Sequence, residues 1–184
     1  MSVKRIVACL TIGLCLTAGM ALAQTDPIGK VDTLSLVVET IGSGKWMVTA
    51  SLWNDENLAA IDIPLKYSAG VARVAIDSVS FVGTRIDGFE QRTSQIDSVK
   101  QIMHFGGFAY ILSQKPPLAP GKGEVGRIFF SARGDKKPGP FVVDTTAYSA
   151  SSTLVLADVN AKTIVPALKI DYKKAEAAPA PKKQ

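Results

Sequence analysis

Cysteine is nearly absent: the chain has 184 residues and only two cysteines, Cys9 and Cys15, both within its first 23 positions. Everything after them lacks a thiol and a disulfide, which removes disulfide scaffolds and cysteine nucleophiles as readings of the remainder. Histidine is reduced to His104. A serine triad would have to use it, yet no G-x-S-x-G accompanies it, and zinc would lack the nitrogen and sulfur ligands it usually takes. No apolar run reaches the roughly eighteen to twenty residues needed to span a bilayer, so no membrane span is expected. Charge of one sign is also missing where it would matter. The net charge is +5, but Lys4, Arg5 and the lysines after Tyr172 supply the excess, and Gln24 to Tyr172 holds fifteen basic and fifteen acidic residues. A neutral body without a basic, aromatic-interleaved face excludes nucleic acid as the expected partner.

The two ends explain much of the composition. Lys4 and Arg5, an uncharged run from Ile6 to Met20 and then Ala21-Leu22-Ala23 follow the basic, apolar, small-residue order of a secretory signal peptide, with cleavage expected after Ala23. Leu14 before Cys15 and the early place of Cys9 argue against lipidation. A secreted or periplasmic, cell-envelope protein is the expectation. Residues 24–32 read as a polar lead-in, 33–172 as one domain, and 173–184, KKAEAAPAPKKQ, as a disordered Ala/Pro/Lys tail with no apolar residue to bury.

What is present is alternation. In Trp46 to Trp53 the residues Trp46, Val48, Ala50 and Leu52 share one face, and after the turn Asn54-Asp55-Glu56-Asn57 a second face is lined by Ile61, Ile63, Leu65 and Tyr67. Period two over both runs is the signature of half-buried strands. Pro64 cannot donate a ladder hydrogen bond, which predicts a sheet edge or a bulge for the second run. Thr33 to Thr40 precedes them as a strand. Ala72 to Val82 switches its inward phase near Asp77-Ser78, the mark of a β-bulge. Gly83 to Ser98 is polar and weakly periodic, and reads as a long surface excursion. Val99 to Leu112, interrupted by Gly106-Gly107, reads as a kinked strand or two short ones. Val125 to Ala132, Phe141 to Thr146, Leu154 to Val159 and Ile164 to Tyr172 complete about nine strands with no helix among them, an all-β sandwich or barrel.

Motif-like strings fail their context tests. Gly121 to Gly126 spells G-x-G-x-x-G, but a proline-rich loop precedes it and a strand, not a helix N-terminus, follows. Arg133-Gly134-Asp135 reads as a hairpin tip. Asp87 with Glu90 lies in a polar loop where solvated charge is the ordinary state. Asp55 with Asn57 and Asp158 with Asn160 could hold calcium at a loop, but neither approaches an EF-hand spacing, so no metal and no cofactor is expected. The candidates for a binding face are Trp53, Phe89, His104, Phe108 and Tyr110: a row of exposed aromatics would bind polysaccharide, and a mixed apolar and polar face would suit a protein.

Three segments carry a resemblance: LWNDENLAAIDIPLKYSAG (Leu52 to Gly70), VAIDSVSFVGTR (Val74 to Arg85) and PPLAPGKGEVGRIFFSA (Pro116 to Ala132). Their order resembles the cohesin-like domains of the cellulose-binding and cohesin superfamily, over most of Thr33 to Tyr172. The resemblance implies a nine-stranded jelly-roll sandwich that binds a protein, usually a dockerin-bearing one, or carbohydrate in related branches. The function to expect is a non-catalytic exported binding module that engages a protein partner through a sheet face. A carbohydrate-binding module using exposed aromatics is the alternative.

Overall fold

The computed structural model describes residues 26–173; the expected signal peptide and all but the first residue of the expected tail lie outside them. Eleven strands and no helix make up the described chain: β1 Thr33–Gly42, β2 Lys45–Asn54, β3 Leu58–Ser68, β4 Arg73–Ser80, β5 Gln91–Asp97, β6 Ile102–Phe108, β7 Gly121–Arg133, β8 Val142–Thr145, β9 Val155–Asp158, β10 Thr163–Ile164 and β11 Ala167–Lys173. One sheet runs β11-β1-β2-β7-β4; the other runs β10-β9-β3-β6-β5, with β8 also paired to β3. Only β1 and β11 pair in parallel. The jelly-roll sandwich is thus present, with eleven strands in place of nine.

The inward faces meet in one core. From β1 and β2 it takes Leu34, Leu36, Val38, Trp46, Val48, Ala50 and Leu52, and from β3 Ile61, Ile63, Leu65 and Tyr67, so both alternating runs of the sequence bury the predicted faces. Those runs lie in opposite sheets, and Asp55 to Asn57 carries the chain across from one to the other. At one end an aromatic cluster ties the layers together: Trp46 stacks on Phe141 at 4.7 Å, Phe141 tilts onto Phe130 at 5.0 Å, and Phe130 meets Tyr67 at 5.1 Å. Such pairs add roughly 0.5–1.5 kcal/mol each beyond the area they bury. In mid-sandwich Phe105 fills the space left by Gly126, where a Cβ would lie 2.8 Å from the ring.

Four expectations are corrected. The polar stretch 83–98 is not all excursion: its second half is β5, an edge strand paired only with β6. Its residues are nearly all polar because an edge on the sheet rim needs little buried apolar surface, and polar side chains discourage pairing with another chain. Pro64 does not mark an edge, since β3 sits between β6 on one side and β9 and β8 on the other. Ala59 O accepts from Ala109 N–H and Tyr67 N–H donates to Gln101 O, so odd residues of β3 address β6 and even ones face the other way. On that side β9 pairs as far as Asp62 and β8 begins at Leu65, so Pro64 falls in the gap where no donor is required. The Gly106-Gly107 pair does not break β6, which keeps an unshifted register with both neighbours. Finally, Gly121 to Gly126 lies wholly within β7, where Gly123 makes room for the Arg85 side chain: a Cβ there would sit 2.9 Å from Arg85 Cδ. The phase switch in β4 is seen as a register shift between Ile76 and Ser78 opposite β7, as the sequence indicates.

The glycine pair sets how closely β6 fits its neighbours. A Cβ on Gly106 would lie 2.0 Å from Ile61 O, and one on Gly107 2.0 Å from Gln91 O. Gly106→Ala and Gly107→Ala are each expected to lower the unfolding free energy in urea titration by about 2–3 kcal/mol through overpacking against backbone. At Gly88 an added Cβ meets nothing within 4 Å, and Gly88→Ala should change stability by less than ~0.5 kcal/mol.

Candidate functional site

Cross-strand register decides which side chains share the outer face of the six-stranded sheet. On β6, Met103 and Phe105 point inward, leaving Ile102, His104 and Phe108 outward. Opposite them on β3 are Lys66, Pro64 and Ala60, and on β5 Asp97, Gln95 and Gln91. Asp62 and Thr93 flank Gly106 between them. The face is therefore mixed, with apolar side chains spaced among hydrogen-bonding ones. Phe108 is 49% exposed and stands between two shallow hollows of 220 and 140 Å³. Ala60, Val155 and Ala157 line the larger, and Thr93, His104 and Gly106 the smaller. Just beyond Phe108 the chain presents Ile111 and Leu112 to solvent.

His104 is held by Asp62 and Tyr148, and Asp62 in turn by Ser152. His104 Nδ1 lies 3.0 Å from Asp62 Oδ1, Ser152 Oγ donates to Asp62 Oδ2 at 2.7 Å, and the imidazole stacks on Tyr148 at 4.6 Å. Serine, histidine and aspartate are thus neighbours, but in the wrong order for a triad. The hydroxyl spends its proton on the carboxylate that also holds the imidazole, and His104 Nε2 is buried without a partner. The cluster fastens the β9 side of the sheet to β6. Asp62, Tyr148 and Ser152 were invisible as its members in the sequence, since they lie 42 to 90 positions apart along hydrogen-bonded pairs or a ring contact that only the fold creates.

The five residues singled out by sequence do not form one surface. Phe89 is 5% exposed and belongs to the core, and Tyr110 packs against that core. Trp53 alternates with buried Leu52 on β2 and so lies on the outer face of the other sheet, opposite Lys122. His104 and Phe108 alone share the face just described. The row of coplanar aromatics required by a polysaccharide platform is not assembled from these five.

The loop carboxylates have structural employment. Asp87 pairs with Arg92. Glu90 receives N–H bonds from Ile111, Leu112 and Ser113 and the hydroxyl of Ser113 at 2.6 Å, and these donors hold its carboxyl down to about 2. A carboxylate so stabilised is a poor proton donor or acceptor near neutrality. Asp158 accepts from Asn160 N and Lys162 N and orders its own turn. At the crossover between sheets, Arg85 donates to Leu52 O, Asn54 Oδ1, Gly121 O and Ala119 O. Beside it, Asp26, Asp32, Asp55 and Glu56 bring their carboxylates together, and burial pushes both Asp32 and Glu56 above the usual carboxylate range. No helix among the described residues is long and apolar enough to cross a membrane.

No family model matches the chain, and no curated protein matches it. Solved structures do. The fold is that of cohesin domains. A cohesin from Clostridium thermocellum, solved as the Coh-OlpA-Doc918 type I cohesin–dockerin complex, superposes with a TM-score of 0.58 at 14% identity, over 78% of this chain and 100% of that one. The solution structure of CaCohA2 from Clostridium acetobutylicum gives 0.54 at 14% identity, over 83% and 96%. A type II cohesin domain from the cellulosome of Acetivibrio cellulolyticus gives 0.50 at 14% identity, over 77% and 92%.

The Glu90 arrangement has a pH signature. Its ordinary pKa of 4.5 falls to about 2 in the folded protein, so its stabilisation of the 111–113 turn is complete above about pH 4.5 and is lost as pH falls through 2. Amide-exchange protection at Leu112 and Ser113 is expected to be high at pH 5 and to collapse towards pH 2. Glu90→Gln should show low protection at both.

Proposed function

We propose that this chain is a non-catalytic binding module whose cohesin-like sandwich engages a protein partner through the outer face of its six-stranded sheet. The observation that carries the reading is the composition of that face: Phe108, half exposed between two hollows, among interspersed apolar and hydrogen-bonding side chains. An exposed aromatic set among hydrogen-bonding groups has the anatomy of a protein contact, in which one well-packed anchor supplies much of the affinity. The neighbour folds support the class of partner, since the Clostridium thermocellum cohesin was solved bound to a dockerin. A dockerin-type or envelope protein is accordingly the proposed ligand. The order of basic, apolar and small residues in 1–23 supports action after export, in the periplasm or outside the cell.

His104 and its neighbours serve this face by holding its side chains in place. Asp62 and Ser152 use their polar atoms on each other and on the imidazole, so the face meets a partner with its groups already ordered. Less ordering on association means less affinity lost to entropy.

The test is a pull-down with the full exported chain against the source organism's exported proteins, run beside insoluble cellulose and chitin. Retention of one protein, by a surface that Phe108→Glu weakens at least tenfold and Trp53→Ala leaves intact, is the expected result. Loss with Trp53→Ala but not Phe108→Glu would assign binding to the other sheet. Retention on polysaccharide alone would refute a protein ligand.

A further inference from the structure

The lead-in before β1 and the crossover between β2 and β3 meet at four carboxylates. One oxygen from each of Asp26, Asp32, Asp55 and Glu56 can be chosen so that all lie within 4.8 Å of one another. Asp32 is 0% exposed, and neither of its oxygens has a hydrogen-bond partner. Both oxygens of Glu56 and Oδ1 of Asp55 are likewise buried and unpartnered. None of the four residues takes part in an ion pair among the described residues. Arg85, the cation whose charge Asp32 feels, spends its guanidinium on three carbonyls and Asn54. Acceptors that face one another without a donor are a strong cost in a folded protein, and a buried charge persists only when paired or when it coordinates a metal.

The backbone is shaped to bring these groups together. Asp26 turns the lead-in by accepting from Ile28 N and Asp32 N. Lys30 N donates to Asp55 Oδ2 at 2.8 Å. Gly29, at φ 67°, lies against the Asp55 carboxylate, where a Cβ would be 2.4 Å from Oδ2. The loop from 26 to 32 is therefore folded over the crossover, and the carboxylates of Asp26 and Asp32 converge on those of Asp55 and Glu56.

We propose that Asp26, Asp32, Asp55 and Glu56 form a calcium site that clamps the lead-in segment to the β2–β3 crossover. The donor set selects the ion. All four ligands are hard carboxylate oxygens, which suit calcium, magnesium or manganese and not the softer metals that seek nitrogen or sulfur. Calcium takes six to eight oxygens at about 2.3–2.6 Å and accepts irregular, all-protein cages of mono- and bidentate carboxylates, whereas magnesium keeps several waters and rarely enters such cages. Ligand oxygens on opposite sides of an ion with ~2.4 Å bonds are separated by up to ~4.8 Å, and the four oxygens here fall within that limit. The clamp is independent of the proposed binding face.

The experiment is calorimetric titration of chelator-treated full chain with calcium chloride and, separately, magnesium chloride, followed by thermal unfolding with each ion. One saturable calcium site is expected, at least tenfold tighter than magnesium, with a rise in Tm of about 5 °C at saturating calcium. Asp32→Asn and Glu56→Gln should weaken calcium at least tenfold. Should the buried Asp32→Asn fail to fold, Asp26→Asn carries the test, because Asp26 lies in the lead-in outside every strand. Asp144→Asn, on an exposed pair with Lys66, should leave calcium affinity unchanged. Absence of heat and of a Tm shift up to 10 mM calcium, magnesium binding tighter than calcium, or calcium affinity unchanged in Asp26→Asn and Glu56→Gln would each overturn the proposal.

Discussion

The arrangement depends on how the chain crosses between its sheets, and Arg85 is the residue that makes the crossing tenable. Where the chain leaves one sheet for the other, the carbonyls of Leu52, Ala119 and Gly121 all accept from the Arg85 guanidinium. Arg85 also takes Asn54 Oδ1, while Asn54 Nδ2 donates to Glu56 O and Ala119 O. Its planar fork of donors can serve several acceptors at once where a lysine would serve fewer. The glycines of β7 are the complement of that choice, since Gly123 leaves the space through which the side chain passes. A string that spells a nucleotide fingerprint is here a groove for an arginine.

At the far end the same problem of joining two layers is met without polar atoms. Trp46, Phe141, Phe130 and Tyr67 interleave across the sandwich, so one end is fastened by aromatic packing and the other by hydrogen bonds. Between the two, the six-stranded sheet is stiffened by β3, which pairs with β6 along one side and is shared by β8 and β9 along the other. Pro64 occupies the one stretch of β3 that neither short strand reaches. A residue that would harm a continuous ladder is harmless at a gap, and the two glycines of β6 let the adjoining strands close up on it.

Alternation was legible in the sequence wherever one face is buried, which is why β1, β2, β3 and β7 and their inward residues follow from period two alone. It fails where burial no longer alternates. In β5 the outward Gln91, Thr93 and Gln95 are matched by Arg92 and Ser94 on the other phase, so nothing distinguishes this rim strand from a loop. Aromatic residues gave the same difficulty in reverse. Phe89 sits in a polar context and looks free, but a turn closed by Phe89 N–H to Ile86 O returns it to the core. Trp53 and Phe108 look equivalent, and only the assignment of their strands to different sheets parts them. The carboxylates of Asp26, Asp32, Asp55 and Glu56 show the limit most clearly. Each is an ordinary loop or strand-end acid in sequence, and their meeting follows from β1 lying beside β2 with Thr33 opposite Trp53.

That division between what alternates and what does not also accounts for the low identity with the cohesin domains that share the fold. Inward positions of the sandwich need only be apolar and of suitable volume, and many sequences satisfy that while packing to the same fold. Outward positions are under no such demand from the core, so they can change without cost to stability. At 14% identity with a TM-score of 0.58, the shared content is the path of the chain. The outward half of the alternation is free to differ. On the six-stranded sheet that half is written in Gln91, Thr93, Gln95, Ile102, Phe108 and Lys66, residues whose replacement leaves the core untouched. His104 and Asp62 are the exceptions, because each is tied to the other and, through Ser152 and Tyr148, to the connection before β9. Single outward side chains of this sheet can therefore change without disturbing the core, provided that the ties among Asp62, His104 and Ser152 are kept.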